Sequence, residues 1–126
     1  MTDRVRTGVV GVGSMGRHHA RVYSELPGVE LVGVADLDRE RAAEVAAAFD
    51  TRVRDQDELL SVADAVSIVV PTRHHEAVAR SAIDAGTHLL VEKPFVDDTE
   101  AGREIIGAAR ASDLVLQVGH VERFNP

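Results

Sequence analysis

Short apolar runs alternate along this chain with longer stretches in which apolar residues return every three to four positions. The first pattern reads as buried strands and the second as one-sided helices. Residues 6–10 form an extended apolar run, and 14–26 a helix with Met15, His19, Val22 and Leu26 on one face. Pro27-Gly28 breaks that helix. A second strand over 30–35 carries Leu31, Val32 and Val34. Asp38 then caps a helix whose Ala42, Val45, Ala46 and Phe49 share a face. A short strand follows at 51–53, and Asp55, three positions before Glu58, caps a short helix through Leu59 and Leu60. The β-branched run 65–70 reads as a strand buried on both faces and stopped by Pro71. A helix over 74–85 ends at Gly86. A strand over 87–91 runs into Glu92-Lys93-Pro94, a helix from Asp97 and Glu100 passes through Ile105, Ile106 and Ala109, and a last strand covers 114–118.

Between the first strand and the first helix stands VVGVGSMGRHH, in which Gly11, Gly13 and Gly16 have the G-x-G-x-x-G spacing of a dinucleotide-binding turn. Gly11 lets the chain turn out of the strand, Gly13 leaves room for a pyrophosphate, and Gly16 lets the helix pack close to the strand. The amides at the helix start, from Ser14 and Met15 onward, face the phosphates. Asp36 lies 20 residues past Gly16, at the tip of the second strand, where a carboxylate meets the adenosine ribose hydroxyls. A carboxylate there repels a 2′-phosphate and favours NAD, while Arg39 and Arg41 keep NADP open. The expected fold is therefore α/β, a Rossmann doubly wound parallel sheet in the strand order 3-2-1-4-5-6, as one domain over 1–126. Gly11, Asp36, Pro71, Glu92 and Gly119 all fall at carboxyl ends of its strands, the edge where such sheets bind ligands.

Composition narrows the function further. Aromatics make up 3% of the chain, so the core must be aliphatic. A net charge of −7 argues against a nucleic-acid or membrane-surface partner. There is no cysteine, hence neither a disulfide framework nor a cysteine metal site. The pair His18-His19 is a poor metal site, because adjacent helical residues point in different directions, and His74-His75 is a similar pair placed after Pro71-Thr72 at a strand end. No metal is expected. His19 is expected to pack against the turn and sheet, and the pair His74-His75 either to form a solvated helix start or to contact the nicotinamide half of a cofactor. Residues 1–10 lack the long apolar run of a signal peptide, so the expected location is cytoplasmic. Lys93 is the single lysine among 14 basic residues, and Pro94 after it biases it toward an extended conformation. A lysine on so stiff a turn can hydrogen-bond a substrate hydroxyl or relay its proton, a plain surface lysine being the alternative.

GVGSMGRHHARVY, Ala35-Asp36, PTRHHEAVARSAIDAGTHLLVEKPF and GHVERFNP together resemble the glucose–fructose oxidoreductase/inositol dehydrogenase/rhizopine-catabolism (Gfo/Idh/MocA) family. The resemblance covers essentially the whole chain but only that family's N-terminal cofactor domain. It implies binding of NAD or NADP and hydride transfer between nicotinamide C4 and a sugar-type hydroxyl. It assigns Lys93 to the reacting hydroxyl, Glu92 and Pro94 to the nicotinamide end, and Pro71, Thr72 and His75 to a loop beside the cofactor. GHVERFNP is similar to the junction in nucleotide-sugar members such as the UDP-N-acetylglucosamine 3-dehydrogenases, where Arg123 would reach an acidic substrate group.

Family enzymes continue into a second α/β domain that carries most of the substrate pocket and the usual oligomer interface. That domain is absent from these 126 residues, so the expected partners are a substrate domain in cis or trans and a sugar or nucleotide-sugar substrate. Little or no turnover is expected from this part alone, and a self-associating surface is open. The alternative is a stand-alone NAD(P)-binding or sensing module, which keeps the glycine turn and Asp36 but does not need Lys93. An S-adenosylmethionine methyltransferase uses a similar turn, and Glu92-Lys93-Pro94 speaks against it.

Overall fold

The computed structural model describes residues 4–92 and 99–119. Its first strand, β1 (Val5–Val10), runs beneath α1 (Ser14–Glu25) and pairs in parallel with β2 (Val29–Ala35) on one side and β3 (Ala65–Ile68) on the other. β3 pairs with β4 (His88–Glu92), and β4 with β5 (Leu116–Gly119), both parallel. The sheet order is β2-β1-β3-β4-β5. Four helices complete the crossovers: α2 (Arg39–Ala48), α3 (Gln56–Val62), α4 (His75–Asp84) and α5 (Thr99–Ala111).

The expected strand at 51–53 survives as a single parallel bridge, Val53 to Val34, on the free side of β2. Val34 donates to the Arg52 carbonyl at 3.0 Å and accepts from the Arg54 amide at 2.9 Å. Counting that bridge as a strand recovers the order 3-2-1-4-5-6. The third strand is so short because Asp50, at φ +55, ends the α2 turn and Asp55 already opens α3. β3 likewise stops two residues before its expected end, although Val69 still donates to the Val10 carbonyl at 2.8 Å.

Parallel strands buried on both faces need two apolar layers. Val9, Leu31 and Val34 pack against Val12 and Ala20 by α1 and against Ala42, Val45 and Ala46 of α2. Val66, Ile68, Leu89 and Val91 pack on the opposite face against Leu59 and Leu60 of α3, Val78, Ala79, Ala82 and Ile83 of α4, and Ile105 and Ala109 of α5. Gly8 makes room for α3, since a Cβ there would lie 2.5 Å from a Leu59 methyl.

Two helix readings change in the folded chain. Met15 and Leu26 are 41% and 44% exposed, while His19 is buried as expected and Gly16 and Ala20 join it on the inward face. The close approach at Gly16 rotates the helix toward its small residues. Asp38 caps α2, accepting from the Arg41 amide at 3.1 Å. Asp55 stands at the start of α3 but makes no cap bond, because its carboxylate pairs with Arg39.

Candidate cofactor site

Three glycines shape the exit from β1, each in its own way. Gly11 has φ +94, and a Cβ there would lie 2.5 Å from the Val69 carbonyl oxygen. A Cβ on Gly16 would fall 1.8 Å from the Gly11 carbonyl oxygen, so α1 and the turn touch backbone to backbone. Gly13 has nothing within 4 Å of its Cβ position. That open side belongs to a cleft of about 920 Å³ lined by Gly11, Gly13, Ser14, Met15 and Gly16. No side chain caps α1, and no acidic residue occupies its first turn. The first amides of a helix have no acceptor within it, so this end presents donors and a positive dipole to an anion.

The opposite wall is built on Asp36. Its carboxylate accepts from the Val12 and Asp38 amides, both at 2.8 Å, and from the Arg41 guanidinium at 3.3 Å. Burial pushes this carboxyl up, but the two amides and Arg41 outweigh it and hold it below its usual value. It is therefore an anion at neutral pH. Leu37 beside it is 99% exposed, an apolar surface offered to the cleft. Arg39 and Arg41 are both neutralised, by Asp55 and Asp36. Pro71, Arg73 and His74 close the third side.

The fold thus brings Gly11, Gly13, Ser14, Met15, Gly16, Asp36, Arg39 and Pro71 onto one cleft. Thr72, His75 and Glu92 are not among its lining residues. Thr72 opens a 3₁₀ turn, Thr72–His74, beside Pro71. The His75 ring is 2% exposed and its Nε2 donates to the Val70 carbonyl at 2.8 Å, so this histidine braces the turn and its neighbour His74 faces the cleft. Lys93, Pro94 and Arg123 lie outside the described residues.

Glu92 meets a residue that the sequence placed only loosely. His19 Nε2 lies 2.9 Å from Glu92 Oε2, and its Nδ1 lies 2.8 Å from Ser67 Oγ. Tyr23 Oη lies 2.6 Å from the same Ser67 oxygen. Burial lowers the His19 pKa, with Glu92 pulling the other way, and burial raises that of Tyr23. A signal for this network was present: Ser67 is the one hydroxyl inside an otherwise apolar strand, and Tyr23 follows His19 by one helical turn. The adjacent His18 turns away, its Nδ1 3.0 Å from Arg21. Among the described residues no group of three or more His, Cys, Asp or Glu could hold a metal ion.

Uncapped amides, a glycine without a neighbour and a desolvated carboxylate suit a dinucleotide, with pyrophosphate at α1 and a ribose diol at Asp36. Residues 5–120 match the family described as an oxidoreductase family with an NAD-binding Rossmann fold, GFO_IDH_MocA. The chain belongs to this family. It carries the family's NAD-binding domain. It is 50% identical over 123 residues to a UDP-N-acetylglucosamine 3-dehydrogenase of Acidithiobacillus ferrooxidans, a match that spans 97% of this chain and 39% of the relative. The solved structure of that enzyme, GnnA, superposes with a TM-score of 0.92 over 98% of this chain and 40% of its own. Inositol 2-dehydrogenase 4 of Saccharopolyspora erythraea is 37% identical over 133 residues, covering 100% of this chain and 39% of the relative. GenD2 from gentamicin A biosynthesis, solved in complex with NAD, is 37% identical with a TM-score of 0.90, over 94% of this chain and 35% of its own. The chain therefore spans about two fifths of the length of these relatives. Among the described residues no helix is long and apolar enough to cross a membrane.

Proposed function

We propose that this chain forms the cofactor half of an NAD-dependent oxidoreductase that moves a hydride between the nicotinamide and a hydroxyl-bearing carbon of a sugar or nucleotide sugar. The carrying observation is one cleft with two complementary walls, the open amide end of α1 at Gly13 and the anionic Asp36. When bound, NAD supplies the hydride acceptor. The chain's own residues bind and orient it. Ser14 and Met15 amides hold the pyrophosphate, Asp36 accepts from the ribose hydroxyls, and Pro71 with Thr72 flanks the nicotinamide. NAD is favoured over NADP because the arginines nearest Asp36 are already paired with carboxylates.

Lys93 takes the role of the group at the reacting hydroxyl, and Arg123 that of a contact to an acidic substrate group, both carried by family resemblance. The nucleotide-sugar class is favoured by the 50% identity to a UDP-N-acetylglucosamine 3-dehydrogenase. Calorimetric titration with NAD and NADP tests the cofactor half: NAD should bind more tightly by at least about tenfold, a difference of about 1.4 kcal/mol. Equal affinity, or none, sinks that reading. For the chemistry, Lys93→Ala in protein carrying both domains should abolish turnover while sparing NAD binding. Unchanged turnover would remove Lys93 from the reaction.

A further inference from the structure

The Tyr23–Ser67–His19–Glu92 chain crosses from α1 through β3 to the end of β4, and one direction of its hydrogen bonds satisfies every member within the protein. Ser67 is 0% exposed and His19 6% exposed, so neither can turn to water. In the sheet register Ser67 stands beside Val9 and Leu90, with Glu92 two residues beyond Leu90 on the same face, the face that α1 covers. The flanking Val66 and Ile68 face the opposite core layer.

Consider the protons. If Tyr23 donates to Ser67, the Ser67 hydroxyl can donate to His19 Nδ1, and His19 Nε2–H then donates to the Glu92 carboxylate. Every proton has an acceptor and every acceptor a proton. If His19 carried its proton on Nδ1, it would donate to Ser67, and either the Ser67 hydroxyl would turn to Tyr23 and send the Tyr23 proton to solvent at the partly buried end of the chain, or Tyr23 would keep donating and leave the buried Ser67 proton without its His19 acceptor. A neutral Nδ1–H ring would also leave a bare Nε2 lone pair 2.9 Å from the Glu92 oxygen. An imidazolium would likewise displace the Tyr23–Ser67 donation and would put a charge on a ring that is 6% exposed.

We propose that His19 is a positioning residue: locked by the Tyr23–Ser67 hydroxyl pair as its neutral Nε2–H tautomer, it clamps the Glu92 carboxylate at the carboxyl end of β4. Among the described residues Glu92 has no other ion-pair partner. The clamp holds the strand end one residue ahead of Lys93. Its effect on turnover rests on the oxidoreductase reading above, whereas the clamp itself does not. The lowered pKa of a buried His19 agrees with a neutral ring.

Long-range proton–nitrogen correlation spectra of the ¹⁵N-histidine-labelled chain at neutral pH test the clamp directly. The expected His19 pattern is a pyridine-like Nδ1 and a pyrrole-like Nε2. The reverse pattern, or two protonated nitrogens, overturns the proposal without any variant needing to fold. Ser67→Ala removes the donor to Nδ1 and should shift that resonance, while an unshifted Nδ1 would overturn the role of the hydroxyl pair. In two-domain protein, His19→Gln should lower kcat by about tenfold or more with the NAD Kd within about twofold. An unchanged kcat, or equal loss in both, refutes the positioning role. Because the nitrogen shifts are read without turnover, failure of the clamp and failure of the oxidoreductase reading remain distinguishable.

Discussion

Gly13 and Gly16 stand three residues apart in one motif, yet the same added methyl group should do opposite things at the two positions. At Gly16 the new Cβ would sit 1.8 Å from the Gly11 carbonyl oxygen, a backbone atom that cannot swing aside. Relief requires α1 to move away from β1 and to drag its buried residues, His19 and Ala20, with it. Overpacking of this kind costs about 1–3 kcal/mol or more. The better helix propensity of alanine returns at most about 1 kcal/mol. The net expectation for Gly16→Ala is a loss of about 2 kcal/mol, which in a domain of this size lowers Tm by about 6–10 °C.

At Gly13 the Cβ meets nothing within 4 Å, and φ −66 with extended ψ suits any residue. Alanine there loses only the modest N-cap preference for glycine, about 0.5–1 kcal/mol. Its methyl group, however, stands where a pyrophosphate must approach, so NAD should weaken by at least about tenfold. Thermal unfolding by circular dichroism and calorimetric titration with NAD read the two effects separately. Native NAD affinity in Gly13→Ala would refute the pyrophosphate assignment. An unshifted Tm in Gly16→Ala would refute the backbone contact.

Further outcomes follow from other sites. Asp36→Ala should weaken NAD while narrowing or reversing the preference over NADP, since it removes the ribose acceptor and frees Arg41; competition titrations check this. Leu59→Ala empties a fully buried position against Gly8 and should cost about 2–5 kcal/mol in urea unfolding. Stability should also fall on mild acidification. His19 has a folded pKa below its unfolded value of about 6.5, so the unfolded chain binds more protons, and the contribution of His19, complete above that value, is lost as pH falls toward the folded pKa. Asp36 behaves alike in a lower window, its contribution complete above its ordinary value of 3.8 and lost as pH falls through the folded one. Urea unfolding between about pH 7.5 and 5.5 should show a smaller slope in His19→Gln, and an identical slope would count against the neutral buried ring.

Local chemistry was legible in the residues themselves. Glycine spacing, the Asp36 offset and the alternation of apolar runs report what each short segment can do: turn, approach a phosphate, lie between two helical layers. Those properties depend on neighbours a few positions away, and the strand–helix alternation they give, combined with the right-handed crossover rule, yields the parallel sheet, its order and the meeting of the glycine turn with Asp36. Which buried side chains meet across those segments is not set by the topology rule. His19 finds Ser67 48 positions away and Glu92 73 positions away, through a register set by two sheet pairings and one helix rotation. That rotation came from Gly16 and overrode the apolar face that Met15 and Leu26 suggested. The tertiary structure likewise turned His74 into the cleft and His75 behind it, because a 3₁₀ turn, not the first turn of a longer helix, follows Pro71. It reduced a strand to the bridge at Val53 and took the Asp55 carboxylate from its helix to give it to Arg39. Periodicity specifies which faces are apolar; only the packed chain decides which polar side chains those faces bring together.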